Sequence, residues 1–575
     1  MEEQSPTALP ATERSPSIAS TTDTSSTNTT DILTPNSPTN SQMDGATSDT
    51  LTVNGTSRPA MQRKNSAPLM PPFMVSAPGK VIVYGEHAVV YGKAAIAAAI
   101  SLRSYLLVTF LSKSRRTVSL RFPDVDLTHT WNMDDLPWAA FSAPGKKKYY
   151  YDLVDALDPD LVEALQPHVK AVSDDQPEHI RKIHQASASA FLYLFCSLGS
   201  PKSSPCVYTL RSTIPIGAGL GSSASIAVCL SAALLLQIRA LSGPHPDQPS
   251  QESETQIERI NRWAFVGEMC IHGNPSGVDN TVSAGGKAVL FQRQGFGQSP
   301  TVTPLRDFPE LPLLLVNTRQ SRSTATEVAK VGALKKAHPK LTERLLDAIN
   351  DVTESAHELI TRSDFRPDDP AALKHLGELI TVNHGLLVSL GVSHPKLERI
   401  RALIDHAGIG WTKLTGAGGG GCAITILRPE ASGRPPMSRH NSVSAAAPPA
   451  ENGVNGTNGT TNGTDAPADT LAVPAPAEPA APAAKSPILV DLEKRLEAEG
   501  FEKFETTLAG DGVGVLWPAV LQNASGEEGG EEIDQEKFLR AEGNGGIERL
   551  VGVSAALPEG QGDGGVREGW RFWRP

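Results

Sequence analysis

The chain has 575 residues, room for roughly two to four domains of about 150 residues each. Only 39% of its residues are apolar and 5% aromatic, beside 50 Gly and 45 Pro, which excludes a chain folded uniformly from end to end. The net charge of −11 excludes the broadly basic surface of a nucleic-acid binder. Residues 1–50 hold 21 Ser or Thr and few large apolar side chains. Such a segment cannot bury enough surface to offset its ordering entropy, so 1–70 is expected to be a disordered Ser/Thr-rich arm.

Folded character begins at Pro72-Phe73-Met74-Val75. Strand-like runs follow at Val81–Tyr84, Leu106–Leu111, Val118–Phe122, Val207–Ser212, Ala288–Gln292, Leu313–Asn317 and Ala423–Leu427. Helix-like runs are His179–Ser197, Ser225–Ala240, Gln256–Met269, Ser323–Val331, Lys340–Thr361, Ala371–Leu390 and Pro395–Ala407. Strands and helices do not alternate strictly, which favours α+β over a doubly wound sheet. Residues 430–486 are rich in Asn/Gly/Thr and then Ala/Pro, the composition of a disordered insertion. Ile488–Ala498 has helical spacing and Phe504–Trp517 alternates, so a last helix and strand are expected to complete the interrupted domain. Residues 521–575, with 6 basic and 11 acidic side chains, are expected to be an acidic Gly-rich tail.

The N-terminus shows no apolar signal core. The uncharged run Ser212–Ile238 is apolar only from Ala224, short of the about 20 residues that span a bilayer. The five cysteines form no CxxC pair, which argues against a disulfide framework or zinc site. A soluble protein of the reducing cytoplasm is expected. Arg63-Lys-Asn-Ser66 and Arg439-His-Asn-Ser442 share a basic pattern that makes both serines candidate phosphorylation sites.

Four segments carry the chemistry. In Ser76-Ala-Pro-Gly-Lys80 a turn feeds a lysine into an apolar strand, and Glu86 and His87 follow at its end. Alone, these could be a surface lysine and a structural histidine. In Gly217-Ala218-Gly219-Leu220-Gly221-Ser222-Ser223 the glycines run into an apolar helix. Backbone N–H groups left unpaired at such a helix start make a phosphate cradle, although a capped helix after a turn reads the same way. Gly416–Gly421 formally matches GxGxxG, but a strand follows where a dinucleotide site needs a helix. The fourth segment, Glu268 to Asp279, places a carboxylate at each end of a Gly273–Gly277 loop, suited to one metal ligand and one base.

Together, APGKVIVYGEHAVVYGK, PIGAGLGSSA, GEMCIHGNPSGVDN and KLTGAGGGGCAIT resemble the motifs of the GHMP kinase superfamily, and within it those of the mevalonate kinase family. The resemblance spans about 72–428 and 487–520. It implies a two-domain α+β fold: a ribosomal protein S5 domain 2-like N-terminal domain, 71–310, and a ferredoxin-like C-terminal domain, 311–520, interrupted at 430–486. It implies transfer of the ATP γ-phosphoryl to mevalonate, with Asp279 as general base and Lys80 beside it. Lys80 and the backbone from Gly217 to Ser223 would bind ATP phosphates. Ser223 and Glu268 would ligate Mg2+. Glu86, His87, Asp279, Thr324, Gly416 and Ala417 would face mevalonate. A homodimer and feedback inhibition by prenyl diphosphates are implied as well.

Sister kinases are the nearest alternatives. Galactokinases resemble a first motif with Arg in place of Lys80, homoserine kinases lack an equivalent of Asp279, and phosphomevalonate kinases lack the GEHAVVYG continuation. A non-catalytic relative is opposed by the intact Lys80, Ser223, Glu268 and Asp279.

Overall fold

Short apolar runs in β-branched and long aliphatic residues make this protein a sheet wrapped by helices. The computed structural model describes residues 70–294, 300–367, 369–432, 486–521, 531–552 and 569–574. The expected disordered arm and insertion, Ser66 and Ser442 lie outside these residues, apart from their margins.

The strands are β1 (Phe73–Tyr84), β2 (Ala94–Phe110), β3 (Thr117–Phe122), β4 (Leu127–Asn132), β5 (Cys206–Ser212), β6 (Ala288–Gln292), β7 (Thr301–Leu305), β8 (Leu311–Asn317), β9 (Gly410–Leu414), β10 (Cys422–Leu427), β11 (Glu502–Leu508), β12 (Gly514–Leu516), β13 (Val520–Leu521), β14 (Glu531–Glu532) and β15 (Arg571–Phe572). The helices are α1 (Trp138–Phe141), α2 (Pro159–Lys170), α3 (Glu178–Leu198), α4 (Ser222–Gln237), α5 (Ser250–His272), α6 (Val278–Gly285), α7 (Thr324–Ala337), α8 (Pro339–Thr361), α9 (Pro370–Ser389), α10 (Pro395–Ala407), α11 (Pro429–Ser432), α12 (Pro487–Ala498), α13 (Gln535–Arg540) and α14 (Gly543–Val551). The α+β class expected from the sequence is what forms.

β2 organises the sheet. Its second half pairs with β5, its first half with β6, and Ile100 meets Leu508 of β11. β11 then leads antiparallel to β8, β10 and β9. On its other side β2 pairs with β1 along most of its length. The sequence reading saw only Leu106–Leu111 of this strand. Its first half is Ala-rich and weak in strand propensity, but Ala97 and Ala99 pack against Val282 and Val289 in a tight space that larger side chains would overfill.

Helix α4 is apolar around its whole circumference and lies buried against β1, β2, α3, α5 and α6. That burial fixes its N-terminus, where the Gly217–Gly221 segment ends. A second core packs α8 and α9 on one face of β8–β10, and a third packs α10 and α12 on the other.

Two expectations change. The Phe504–Trp517 run is not one strand of the second half: β11 joins β8, whereas β12 crosses to pair with β1. The acidic tail is folded where it is described. Ile533, Phe538, Ile547, Val551 and Trp570 cover Met74, Tyr105 and Leu107 on the outer face of β1–β2, and Trp573 enters the large core, 1% exposed. Burying each such side chain contributes about 1.5–3 kcal/mol. These apolar residues are too dispersed among Gly and Glu to show a period.

Candidate active site

The expected turn before Lys80 is instead part of β1, whose pairing with β2 shifts register between Pro78 and Lys80, and it is gripped from two helices. Ser225 of α4 donates to the Ala77 carbonyl at 2.7 Å and Ser283 of α6 to the Pro78 carbonyl at 2.7 Å. The Lys80 N–H donates to the Leu220 carbonyl at 2.8 Å. A Cβ on Gly79 would stand 2.9 Å from that same oxygen, so the close approach of the two segments requires glycine. Lys80 Nζ thereby comes to 3.2 Å from Asp279 Oδ1. Asp279 sits in the first turn of α6, after Gly277 at φ 80°.

Gly217, Gly219 and Gly221 have φ of 74°, 78° and 73°, so this loop takes left-handed backbone that larger residues resist. Ala218 and Leu220 point inward and are buried, leaving Gly217 and Gly219 exposed. The inner side of Gly221 faces Lys80 and Asp279, at 3.1 Å from Lys80 Cγ and 3.7 Å from Asp279 Oδ2 for an added Cβ. Ser222 and Ser223 open α4, and Ser223 Oγ lies 3.2 Å from His272 Nε2.

Glu268 is 3% exposed and its Oε1 has no hydrogen-bond partner. Burial pushes its carboxyl up to about 7; hydrogen bonding from Ser223 opposes this, Asp279 adds to it and Lys80 opposes it. A buried, unspent carboxylate oxygen beside a serine hydroxyl is a hard-ion donor set. Among the described residues no cluster of three or more His, Cys, Asp or Glu could hold a metal ion by itself.

Glu86 is placed differently. Its Oε1 pairs with Lys413 Nζ, both side chains wholly buried, and its Oε2 accepts from Asn383 Nδ2 at 3.0 Å. Both oxygens are spent inside the protein, so Glu86 holds β9 and α9 rather than facing an open substrate space. His87, at φ 60°, bonds through Nε2 to the Ala417 carbonyl at 2.8 Å. Burial lowers its pKa, against that bond and Glu86, so the ring is neutral near pH 7. Thr415 Oγ1 donates to the Ile82 carbonyl at 2.8 Å, which docks Gly416 and Ala417 against the first motif. Thr324 is exposed in the first turn of α7, after its Ser323 cap.

The sequence reading gave no role to Arg322. Its Nη2 donates to the Ala218 carbonyl at 3.1 Å and its Nη1 reaches the Gly418 carbonyl at 3.5 Å. An added Cβ on Gly219 or Gly421 would run into the guanidinium, and one on Gly416 would crowd it at 3.1 Å. One arginine thus joins the two glycine-rich loops, and the glycines of both make room for it. Only the three-dimensional crossing reveals this, because the loops are far apart in the chain. Lys413 and Asn383 were missed for the same reason.

The chain matches the GHMP kinases N terminal domain over residues 186–287 and the GHMP kinases C terminal family over 371–434. It is 61% identical to the mevalonate kinase of Gibberella zeae, over 90% of this chain and 91% of that protein. It is 60% identical to the mevalonate kinase of Aspergillus fumigatus, over 91% of this chain and 86% of that one. With the Candida albicans mevalonate kinase the identity is 37%, over 87% and 99%. A match over 90% of the chain cannot be confined to 72–428 and 487–520, so it reaches into segments for which the motifs offered no counterpart. With this identity across nine-tenths of both chains, and the four glycine-rich and acidic segments converging as they do, the chain belongs to the mevalonate kinase family.

Proposed function

We propose that the chain transfers the γ-phosphoryl group of ATP to the primary (C5) hydroxyl of mevalonate, giving 5-phosphomevalonate for isoprenoid and sterol precursor synthesis. The observation that carries this reading is the Lys80–Asp279 pair against Gly221, with the unpartnered Glu268 oxygen beside the same helix start. Phosphoryl transfer asks a protein mainly for positioning and charge neutralisation. Asp279 takes the hydroxyl proton while that oxygen bonds to the γ-phosphorus. The bond from phosphorus to the bridging oxygen breaks, and ADP leaves with its electron pair. Lys80, 3.2 Å from Asp279 Oδ1, offsets charge on the developing alkoxide.

The backbone from Gly217 to Ser222 and the Ser222 hydroxyl cradle the phosphates. Ser223 and Glu268 are the residues that would hold Mg2+, which when bound with ATP neutralises phosphate charge. His87, Gly416, Ala417 and Thr324 shape the mevalonate side, and Glu86 acts there through Lys413 and Asn383. The domains divide between 310 and 311, where the turn after β7 meets the start of β8.

Homodimerisation, and inhibition by prenyl diphosphates competing with ATP, belong to the same reading. So does a cytoplasmic location, which fits five free cysteines, four of them buried. No helix among the described residues is long and apolar enough to cross a membrane. The test is ADP release with Mg-ATP and mevalonate, phosphomevalonate, homoserine or galactose. Turnover with mevalonate above the other three is expected. Preference for another substrate would replace this reading with a sister kinase, and no turnover from folded protein would leave a non-catalytic relative.

A further inference from the structure

We propose that the C-terminal segment holds the phosphate loop from behind, and that Asn544 is a positioning residue for ATP; this rests on the phosphate-binding reading of Gly217–Ser223. Thr213 is the residue through which β5 hands the chain to that loop. Its N–H donates to the Arg103 carbonyl at 2.9 Å, and its hydroxyl accepts from the Arg103 N–H at 2.9 Å. Its carbonyl accepts from Asn544 Nδ2 of α14 at 3.0 Å. Every polar group of Thr213 is therefore fixed, and one of the fixing groups comes from the C-terminal segment.

The neighbouring contacts repeat the pattern. Two residues earlier, the Arg211 guanidinium donates to the carbonyls of Phe538, Leu539 and Ala541 at 3.0, 3.2 and 2.9 Å. These are carbonyls at the end of α13, which have no partner within the helix. Asp124 steadies the same stretch, accepting from Arg211 Nε at 2.8 Å and from the Ser212 N–H at 2.7 Å. Arg103, which grips Thr213, is wholly buried, bonds Ser76 Oγ and the Asp511 carbonyl, and lies over the Phe572 ring at 5.1 Å. Ser76 lies in β1, the strand that carries Lys80. Trp573 Nε1 donates at 2.9 Å to Gln256 of α5, the helix that carries Glu268.

These C-terminal contacts meet the chain at Arg211 and Thr213, ahead of the loop, so the segment acts through position. A loop with three left-handed glycines has more conformations to lose on binding than any other. Fixing its base in advance lowers the ordering cost that ATP must meet, and preorganisation of this kind shows as affinity.

The experiment uses the full chain carrying Asn544→Ala, Asn544→Asp or Phe572→Leu. The KM for ATP is expected to rise about 5-fold in Asn544→Ala, the worth of one neutral hydrogen bond, and further in Asn544→Asp, which turns an acceptor toward the carbonyl. The kcat, the KM for mevalonate and Tm stay near the parent values. Phe572→Leu shows the same split with a smaller amplitude. The Kd of Mg-ATP by calorimetry, which needs no turnover, rises in parallel and tests this inference even if mevalonate is not the substrate. An unchanged ATP affinity in both Asn544 variants would overturn it. So would a fall in kcat, both affinities and Tm together, which marks a general structural role.

Discussion

Two lysine–carboxylate pairs lie along the first motif and the strands facing it, and they are built to opposite ends. Lys80 and Asp279 stand 3.2 Å apart at the rim of a glycine loop, with Asp279 one-third exposed. Lys413 and Glu86 are both wholly buried, and Asn383 takes the remaining Glu86 oxygen. The first pair keeps donor and acceptor capacity for something that arrives. The second has spent its capacity on the protein itself. Charge in a site therefore says little about chemistry until its hydrogen-bonding capacity is counted, and the sequence, in which Lys80 and Glu86 sit six residues apart, treats both alike.

The largest effect expected from breaking this contrast is at the open pair. Asp279→Ala should lower kcat about 10²–10⁴-fold, the usual range for loss of a general base, with ATP affinity retained. Steady-state kinetics with nucleotide titration checks it, and near-parental turnover would remove Asp279 from the base role. At the sealed pair the effect should appear in stability. Glu86→Gln strands a buried lysine charge, and such losses cost about 3–5 kcal/mol, read as a lower midpoint in urea. Glu86→Gln combined with Lys413→Met should recover much of that.

A subtler probe is pH. In metal-free protein the Glu268 carboxyl, raised by burial to about 7, holds its proton in the folded state at pH values where the unfolded chain has released it. The folded state binds more protons between about 4.5 and 7, so this group's contribution to stability is present at low pH and falls as pH rises through that window. Thermal melts in chelator from pH 5 to 8 should lose part of this slope in Glu268→Gln, and Mg2+ should bind more tightly as pH rises. The smallest effect is expected for exposed Thr324: Thr324→Val should change kcat/KM only a few-fold, since one neutral hydroxyl is at stake.

Much of the site was legible in the sequence because its parts are local. Glycines running into an apolar helix mark a loop that ends at a helix start, and α4 (Ser222–Gln237) forms within three residues of the expected Ser225–Ala240. What joins the parts was not legible. Lys80 and Asp279 were placed together only through the family resemblance, and Arg322 gave no local sign that it links Ala218 to Gly418. The Ala-rich half of β2 hid because its residues are chosen for close packing rather than strand propensity. The tail hid because Phe538, Ile547, Trp570 and Trp573 are scattered among charged and small residues, and only their packing, the first three on Met74, Tyr105 and Leu107 and the last in the large core, makes them part of the interior.

The most direct test sets the two lysines side by side. Turnover of mevalonate and thermal midpoint are measured for Lys80→Met and Lys413→Met under the same conditions. Lys80→Met should abolish most turnover and leave the midpoint within a few degrees of the parent, whereas Lys413→Met should lower the midpoint sharply by stranding Glu86. Full turnover in folded Lys80→Met, or an unchanged midpoint in Lys413→Met, would contradict the division between an open reactive pair and a sealed structural one.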